Sequence, residues 1–265
     1  MRDITLQELL EAGCHFGHQV RRWNPSMKKY IYGERDGIHI LDLAQSKTGL
    51  VEAGEYLRDL AAEGRVILFV GTKRQAAEVV KAEAIRAGMP YMTKRWVGGL
   101  LTNFEQLSRR IRKMQEMMTA RGAGEYKKYT KREQLLLDRE IGQLQKFFAG
   151  VDGMEKLPDA LFVVDSHKEE VAVREAVRMK IPVVAMVDTN GDATMVDKLI
   201  PVNDDAEKSI ELIVKYIGDA VVEGKTSNDK IQNSTQTQNS NDQKPVVKKK
   251  AVKKVKKEED GAGKN

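Results

Sequence analysis

The sequence predicts an α/β protein built on a central parallel sheet, with a helical hairpin inserted into it. Three observations carry the prediction. The first is a set of unbroken apolar runs within 65–72, Ala160–Val164 and Val183–Val187. An apolar run without alternation reads as a strand covered on both faces, as parallel sheets require. The second is the stretch 158–192. There a helix-like segment, with Val171, Ala172, Glu175, Ala176 and Met179 at three-and-four spacing, separates two such runs. Strand, helix, strand is a βαβ unit with a right-handed crossover, and Ser166 and Thr189 stand at the strand exits as candidate cap residues. The third is a pair of narrow stripes, Leu107, Ile111, Met114 and Met118, then Leu137, Ile141, Leu144 and Phe148, with Gly122 and Gly124 between them. Narrow apolar seams with polar outer faces indicate an antiparallel coiled-coil hairpin projecting from the sheet domain.

In chain order, Thr5 and Glu8 form a capping box for a first helix whose apolar side is Leu6, Leu9 and Leu10. A basic, aromatic, glycine-punctuated segment follows, with short strands at 30–32 and Ile38–Leu41 around a turn at 33–37. Residues 42–60 read as a helix, 65–72 as a buried strand, and 76–87 as a helix closed by Gly88 and Pro90. After the hairpin and the βαβ unit, a short element begins at Ile200-Pro201. A turn at 203–206 leads into a last helix over 206–222, with Ile210, Ile213, Val214, Ile217 and Val221 on one side. From Lys225 apolar residues thin out, and a low-complexity stretch and a lysine run follow. Such a tail cannot offset its ordering entropy by burial, so disorder is expected over 225–265. The domain reading is an α/β body over 1–104 and 149–224, a hairpin over 105–148 and a tail over 225–265.

Composition narrows the function classes. A single cysteine, Cys14, excludes an internal disulfide and suits a reducing compartment. No run has the length of a membrane span, and the acid-containing start does not read as a signal peptide; a cytosolic protein is expected. The formal charge of +6 resides in the tail, which holds 11 lysines against 5 acids, leaving the remainder neutral in total. That remainder is uneven: five basic residues and one acid over 15–35, 11 and 6 over 105–148, and 8 and 16 over 150–224. Basic and acidic halves suggest an oriented polyanion contact, with the acidic half facing protein or solvent.

Candidate contacts follow from residue type. His15, His18, Arg21, Arg22, Trp23, Lys28 and Lys29 lie close together with tyrosines between them, and interleaved cations and rings suit phosphates and base or sugar faces. Packing of the rings on the body, with the cations solvated, is the alternative. Lys73 and Arg74 at a helix start could meet a phosphate through the helix N–H groups or simply be solvated beside a cap. Lys94 and Arg95 precede Trp96 and the pair Gly98-Gly99; Arg109, Arg110, Arg112 and Lys113 line the hairpin. Cys14, His15 and His18 lack the fourth ligand of a structural zinc site, so no metal is assigned. Asp165 and Asp188 read as turn residues. No phosphate loop, dinucleotide fingerprint or nucleophile–base pair is present, and an α/β enzyme is the disfavoured rival.

The blocks LLEAGCHFGHQVRRWNP, ILFVGTKRQA, KRWVGGLLTNF, PDALFVVDSHKEEVAVREA and IPVVAMVDTN, in that order, closely resemble the bacterial second protein of the small ribosomal subunit over about 1–224. The resemblance implies a flavodoxin-like three-layer sandwich with an inserted coiled-coil hairpin. It also implies binding to small-subunit ribosomal RNA, support for docking of the messenger-binding ribosomal protein S-one, and no catalytic residue or cofactor. A single copy on the cytoplasmic ribosome, with no membrane partner, is the matching expectation. Gly191-Asp192-Ala193 and 198–202 depart from the family's pattern.

Overall fold

The computed structural model describes residues 2–241, with side chains as far as Asn228. Thr5 closes the capping box of α1 (Leu6–Glu11), its side chain accepting from Glu8 N while Glu8 caps the Thr5 amide in return. Next come β1 (Phe16–Gln19), β2 (Ile31–Arg35) and β3 (Ile38–Leu41), an antiparallel sheet in the order β1-β3-β2. The β2–β3 turn falls on Asp36 and Gly37, with φ of 54° and 75°. Two successive positive φ values match the strand twist, which is why Asp-Gly serves there. The strand β1 was not expected, because Phe-Gly-His-Gln shows neither an apolar run nor alternation.

Five parallel strands form the main sheet: β4 (Ile67–Val70), β5 (Tyr91–Met92), β6 (Ala160–Val164), β7 (Val183–Val187) and β8 (Lys198–Pro201), ordered β5-β4-β6-β7-β8. Counted from β4, this is the 2-1-3-4-5 order of flavodoxin-like sheets. Every residue of β4, β6 and β7 is buried, and alternate residues supply opposite core layers. Ile67, Phe69, Phe162, Val184 and Met186 pack with α2 (Leu43–Ala62), α3 (Arg74–Ala87) and α7 (Glu207–Asn241). Leu68, Val70, Leu161, Val163 and Ala185 pack with α6 (Glu170–Met179) and with residues of α4 (Phe104–Gly122) and α5 (Lys131–Phe148). The result is a three-layer sandwich.

The helices α4 and α5 touch, and Lys113–Glu140 (2.6 Å) and Arg121–Asp138 (3.0 Å) join their flanks. Their base is not free of the body as a purely projecting hairpin would be: Leu107, Ile111, Met114 and Phe148 belong to the second core layer. Met117 takes the buried place expected for Met118, which lies at the open edge beneath the Gln145 amide.

Three local expectations are corrected. Ser166 does not cap α6; its Oγ has no hydrogen-bond partner among the described residues, while Thr189 Oγ1 accepts from His18 N and donates to Asp188. On α6 the buried set is Ala172, Val173, Glu175 and Ala176, with Val171 and Met179 exposed. The folded part also extends past 224: Lys225 Nζ donates to the carbonyls of Ala87 and Gly88. Through Asp229 the chain is one compact unit; of the remainder, 230–241 are helical. Extending a helix fixes one residue per hydrogen bond, whereas starting one fixes three, so polar residues can follow the last packed turn. The lysine run lies in 242–265, outside the described residues.

One buried carboxylate organises the segment between β5 and α4. Glu175 accepts from Trp96 Nε1 (3.0 Å), Gly99 N (2.7 Å), Leu101 N (3.1 Å), Thr102 N (3.2 Å) and Thr102 Oγ1 (3.1 Å). Burial opposes its charge, but the donors from Trp96, Gly99, Thr102 and Leu101 outweigh burial and hold the carboxyl below its ordinary value. Glu175→Ala should cost about 3–5 kcal/mol of unfolding free energy, because it leaves those buried donors without an acceptor. Denaturant titration checks this, and a cost below ~1 kcal/mol would contradict it. A depressed carboxylate contributes stability above its unfolded value of about 4.3 and loses it as pH falls through the lower folded value. The gap between wild type and Glu175→Gln should therefore narrow in acid below about pH 4, and a gap that widens there would refute the assignment.

Candidate nucleic-acid interface

The basic N-terminal segment is a rigid platform. Met27 is fully buried in the core. Asn24 N donates to Thr189 O (2.7 Å), Ala193 N to Ser26 Oγ (3.0 Å), and Gln45 Nε2 to Lys29 O (2.8 Å). Gly17 is needed at the crossing, because a Cβ there would run into Thr189. Two 3₁₀ turns, Val20–Arg22 and Pro25–Tyr30, aim Arg21, Arg22, Lys28 and Lys29 outward. None of these four pairs with a carboxylate of the described residues. Lys29 lies over the Tyr30 ring at 4.7 Å, and Tyr32 is 81% exposed. Trp23 is half-buried against His39, with ring centroids 5.5 Å apart.

The two histidines differ from these cations. His15 sits 4.0 Å from the Phe16 ring, and burial pushes its pKa down, favouring the neutral ring. His18 turns inward: Nδ1 lies 3.0 Å from Asp188 Oδ2, and Nε2 lies 3.4 Å from Asp205 Oδ2. The hydrogen-bonding contact of Asp188 raises its pKa against the opposing effect of burial.

Lys73 is corrected as a phosphate contact. It is buried, with Nζ 3.1 Å from Asp165, 2.8 Å from Asp204 and 2.6 Å from Asp205. Burial opposes its charge, but these carboxylates prevail and raise its pKa. Burial, together with the charges of Asp165 and Asp188, pushes Asp204 up to about 8. Just before α3, Thr72 N and Oγ1 both donate to Glu169. This is the crevice between β4 and β6, where sheets of this order receive ligands; here the protein's own side chains fill it. Asp165 does act as a turn residue, with φ of 69° and Oδ1 accepting from Lys168 N (2.8 Å).

The remaining candidates divide. Arg74, Lys94 and Arg95 are exposed and have no carboxylate partner among the described residues. On the hairpin, Arg109 pairs with Glu105 (2.7 Å) and Lys113 with Glu140 (2.6 Å). Arg112 reaches only Ser108, at 3.4 Å, and Arg110 stands free of carboxylates among the described residues. Trp96 is a buried anchor on Glu175, so the ring behind Lys94 and Arg95 is structural.

Residue type alone did not mark Glu175, Glu169, Asp204 or Asp205. The double acid at Asp204-Asp205 was the available signal, but its partners His18 and Lys73 lie more than a hundred residues away in the chain. Cys14 is buried beside Ser209 Oγ, at 3.3 Å.

The family described as Ribosomal protein S2 matches residues 9–224. Three relatives are each named small ribosomal subunit protein uS2. That of Coprothermobacter proteolyticus is 52% identical over 225 residues, 85% of this chain and 84% of its own. That of a Roseiflexus species is 50% identical over 231 residues, 87% and 88% of the two chains. That of Acidobacterium capsulatum is 51% identical over 224 residues, 84% and 74%. No described helix is long and apolar enough to cross a membrane. With the family's match spanning both halves of the sandwich and the hairpin between them, the chain belongs to the ribosomal protein S2 family, whose members are structural rather than catalytic.

Proposed function

We propose that the protein is a structural constituent of the small ribosomal subunit that binds its ribosomal RNA. The observation that carries this is the platform of Arg21, Arg22, Lys28 and Lys29, held rigid from beneath and unpaired with carboxylates of the described residues. Such cations neutralise phosphates and release counterions, and pre-positioning lowers the ordering cost of contact. Tyr32 offers an exposed ring for stacking or sugar contact. Arg74, Lys94, Arg95, Arg110 and Arg112 form the second set. Arg109 and Lys113 would first exchange a protein partner for a phosphate, and His15, His18, Trp23 and Lys73 support the platform rather than reach outward. The helices of 105–148 act as a coiled-coil arm on the α/β body, and the protein works as a single copy on the cytoplasmic ribosome. Support for docking of protein S-one rests on the family resemblance alone.

Replacing Arg21, Arg22, Lys28 and Lys29 together by alanine should weaken RNA binding and flatten its salt dependence. Each lost phosphate contact reduces the log–log slope by roughly 0.7–0.9. Filter binding to small-subunit RNA across a salt series checks this, with circular dichroism confirming the fold. An unchanged slope in a folded variant would refute the platform. Arg110→Ala with Arg112→Ala should lower the slope by about half as much or less, and a larger effect than the platform's would reassign the primary contact to the arm.

A further inference from the structure

We propose that the cavity between α2 and the 193–199 segment, beside the basic platform, seats one unstacked nucleotide of the bound RNA. The proposal rests on the RNA-binding reading and adds a pocket to what is otherwise a surface. The cavity has a volume of about 390 Å³, within the range of small-ligand sites. Its wall carries Lys29 and Tyr30 from the platform, Gln45, Thr48 and Glu52 from α2, and Lys198 from β8.

Recognition of an unstacked nucleotide draws on a cation for the phosphate, a ring face for the base, and polar groups for the base edge. The cavity has all three. Lys29 is exposed and pairs with no carboxylate of the described residues, and its ammonium lies over the half-buried Tyr30 ring at 4.7 Å. A phosphate that draws the ammonium aside frees that ring face for the base. Lys198 supplies a second cation. It stands 3.7 Å from Glu52, and both side chains are partly exposed, so exchanging this partner for a phosphate costs little. Glu52 is then available to accept N–H donors from the base edge. Asp197, which also lines the cavity, accepts from Val183 N through Oδ2 (2.8 Å), so β7 holds a second acceptor in place.

The frame of the cavity is rigid. Gln45 Nε2 donates to Lys29 O (2.8 Å) and to Asp42 Oδ2 (3.0 Å), fixing the platform against α2. At Gly49 the helix approaches β8 so closely that a Cβ would run into Leu199 O. A preformed cavity lowers the ordering cost of binding. Lys198 lies in 198–202, where the sequence departs from the family's pattern, so the second cation is a feature of this chain. No local signal marks the cavity, because its walls come from two stretches more than a hundred residues apart.

The test is ultraviolet crosslinking of the full-length wild type to small-subunit ribosomal RNA, read by mass spectrometry of the modified peptides, together with filter binding of variants. A nucleotide adduct should form at Tyr30, a readout that needs no variant. Thr48→Trp, at an exposed position of α2 lining the cavity, should fill it. That variant should lose the Tyr30 adduct and bind RNA at least about fivefold more weakly, with its circular dichroism unchanged. Lys198→Ala should lower the log–log salt slope by roughly 0.7–0.9, one phosphate contact, whereas Lys81→Ala on α3 should leave it unchanged. An adduct at Tyr32 without one at Tyr30 would overturn the nucleotide seat and leave the platform standing. So would full affinity and a Tyr30 adduct in folded Thr48→Trp, or equal loss of slope in the two lysine variants. Failure of the wild type to bind the RNA at all would overturn both readings.

Discussion

The carboxylate of Glu175 is the constraint on which the outer half of the molecule depends. A non-helical segment that enters a core must find acceptors for its amides; within 96–102, Gly99, Leu101 and Thr102 find theirs in one side chain, which also takes the Trp96 indole and the Thr102 hydroxyl. No lysine or arginine is paired with it among the described residues; dipoles stand in for the missing hydration. Because Glu175 sits mid-helix on α6, the segment's position is referred directly to the sheet. Two consequences follow from that anchoring: the stretch beginning at Lys94 and Arg95 is held at a defined height, and the root of α4 leaves the body at a defined place. Gly99, with φ of 88°, allows the backbone to turn its amide toward the acid.

A second constraint decides what the fold is not used for. A 2-1-3-4-5 sheet offers a crevice where its strand order reverses, and in many proteins a phosphate occupies it. Here Thr72 N and Oγ1 already donate to Glu169, and Lys73 is drawn into Asp165, Asp204 and Asp205. The crevice has become an internal joint between the β4 and β6 exits and the turn before α7. Fold class alone would have left an enzyme open; the filling of this position accords with a family of structural proteins.

Much of the fold was legible because its signals are local. The runs at 160–164 and 183–187 became β6 and β7 at those bounds, since only a doubly covered strand tolerates five consecutive apolar residues. The Thr5–Glu8 box works for the same reason: both halves lie within one turn. The site was less legible because its chemistry is long-range. Lys73 looks like any cation at a helix start until β6 and the 203–206 turn bring three aspartates to it. Glu175 looked like a polar break in an apolar stripe, and nothing near it in sequence announces five donors. The strand β1 escaped because its pairing with β3, not its residues, makes it a strand.

Charge shows the same division between what can be counted and what must be folded. By sequence the hairpin, with 11 basic residues, outweighs the N-terminal segment, with five. The structure narrows that gap without closing it. Arg109, Lys113 and Arg121 are each spent on a carboxylate of the hairpin itself, whereas Arg21, Arg22, Lys28 and Lys29 have none among the described residues. An exposed ion pair is worth little to stability, but it removes net field from the surface a polyanion meets. The affinity of such a protein for a phosphate backbone therefore follows the number of cations left without an internal partner and held in place from beneath. The short platform between β1 and β2 has fewer such cations than the hairpin, and what sets it apart is the Thr189, Ser26 and Gln45 hydrogen bonds that tie it to the body.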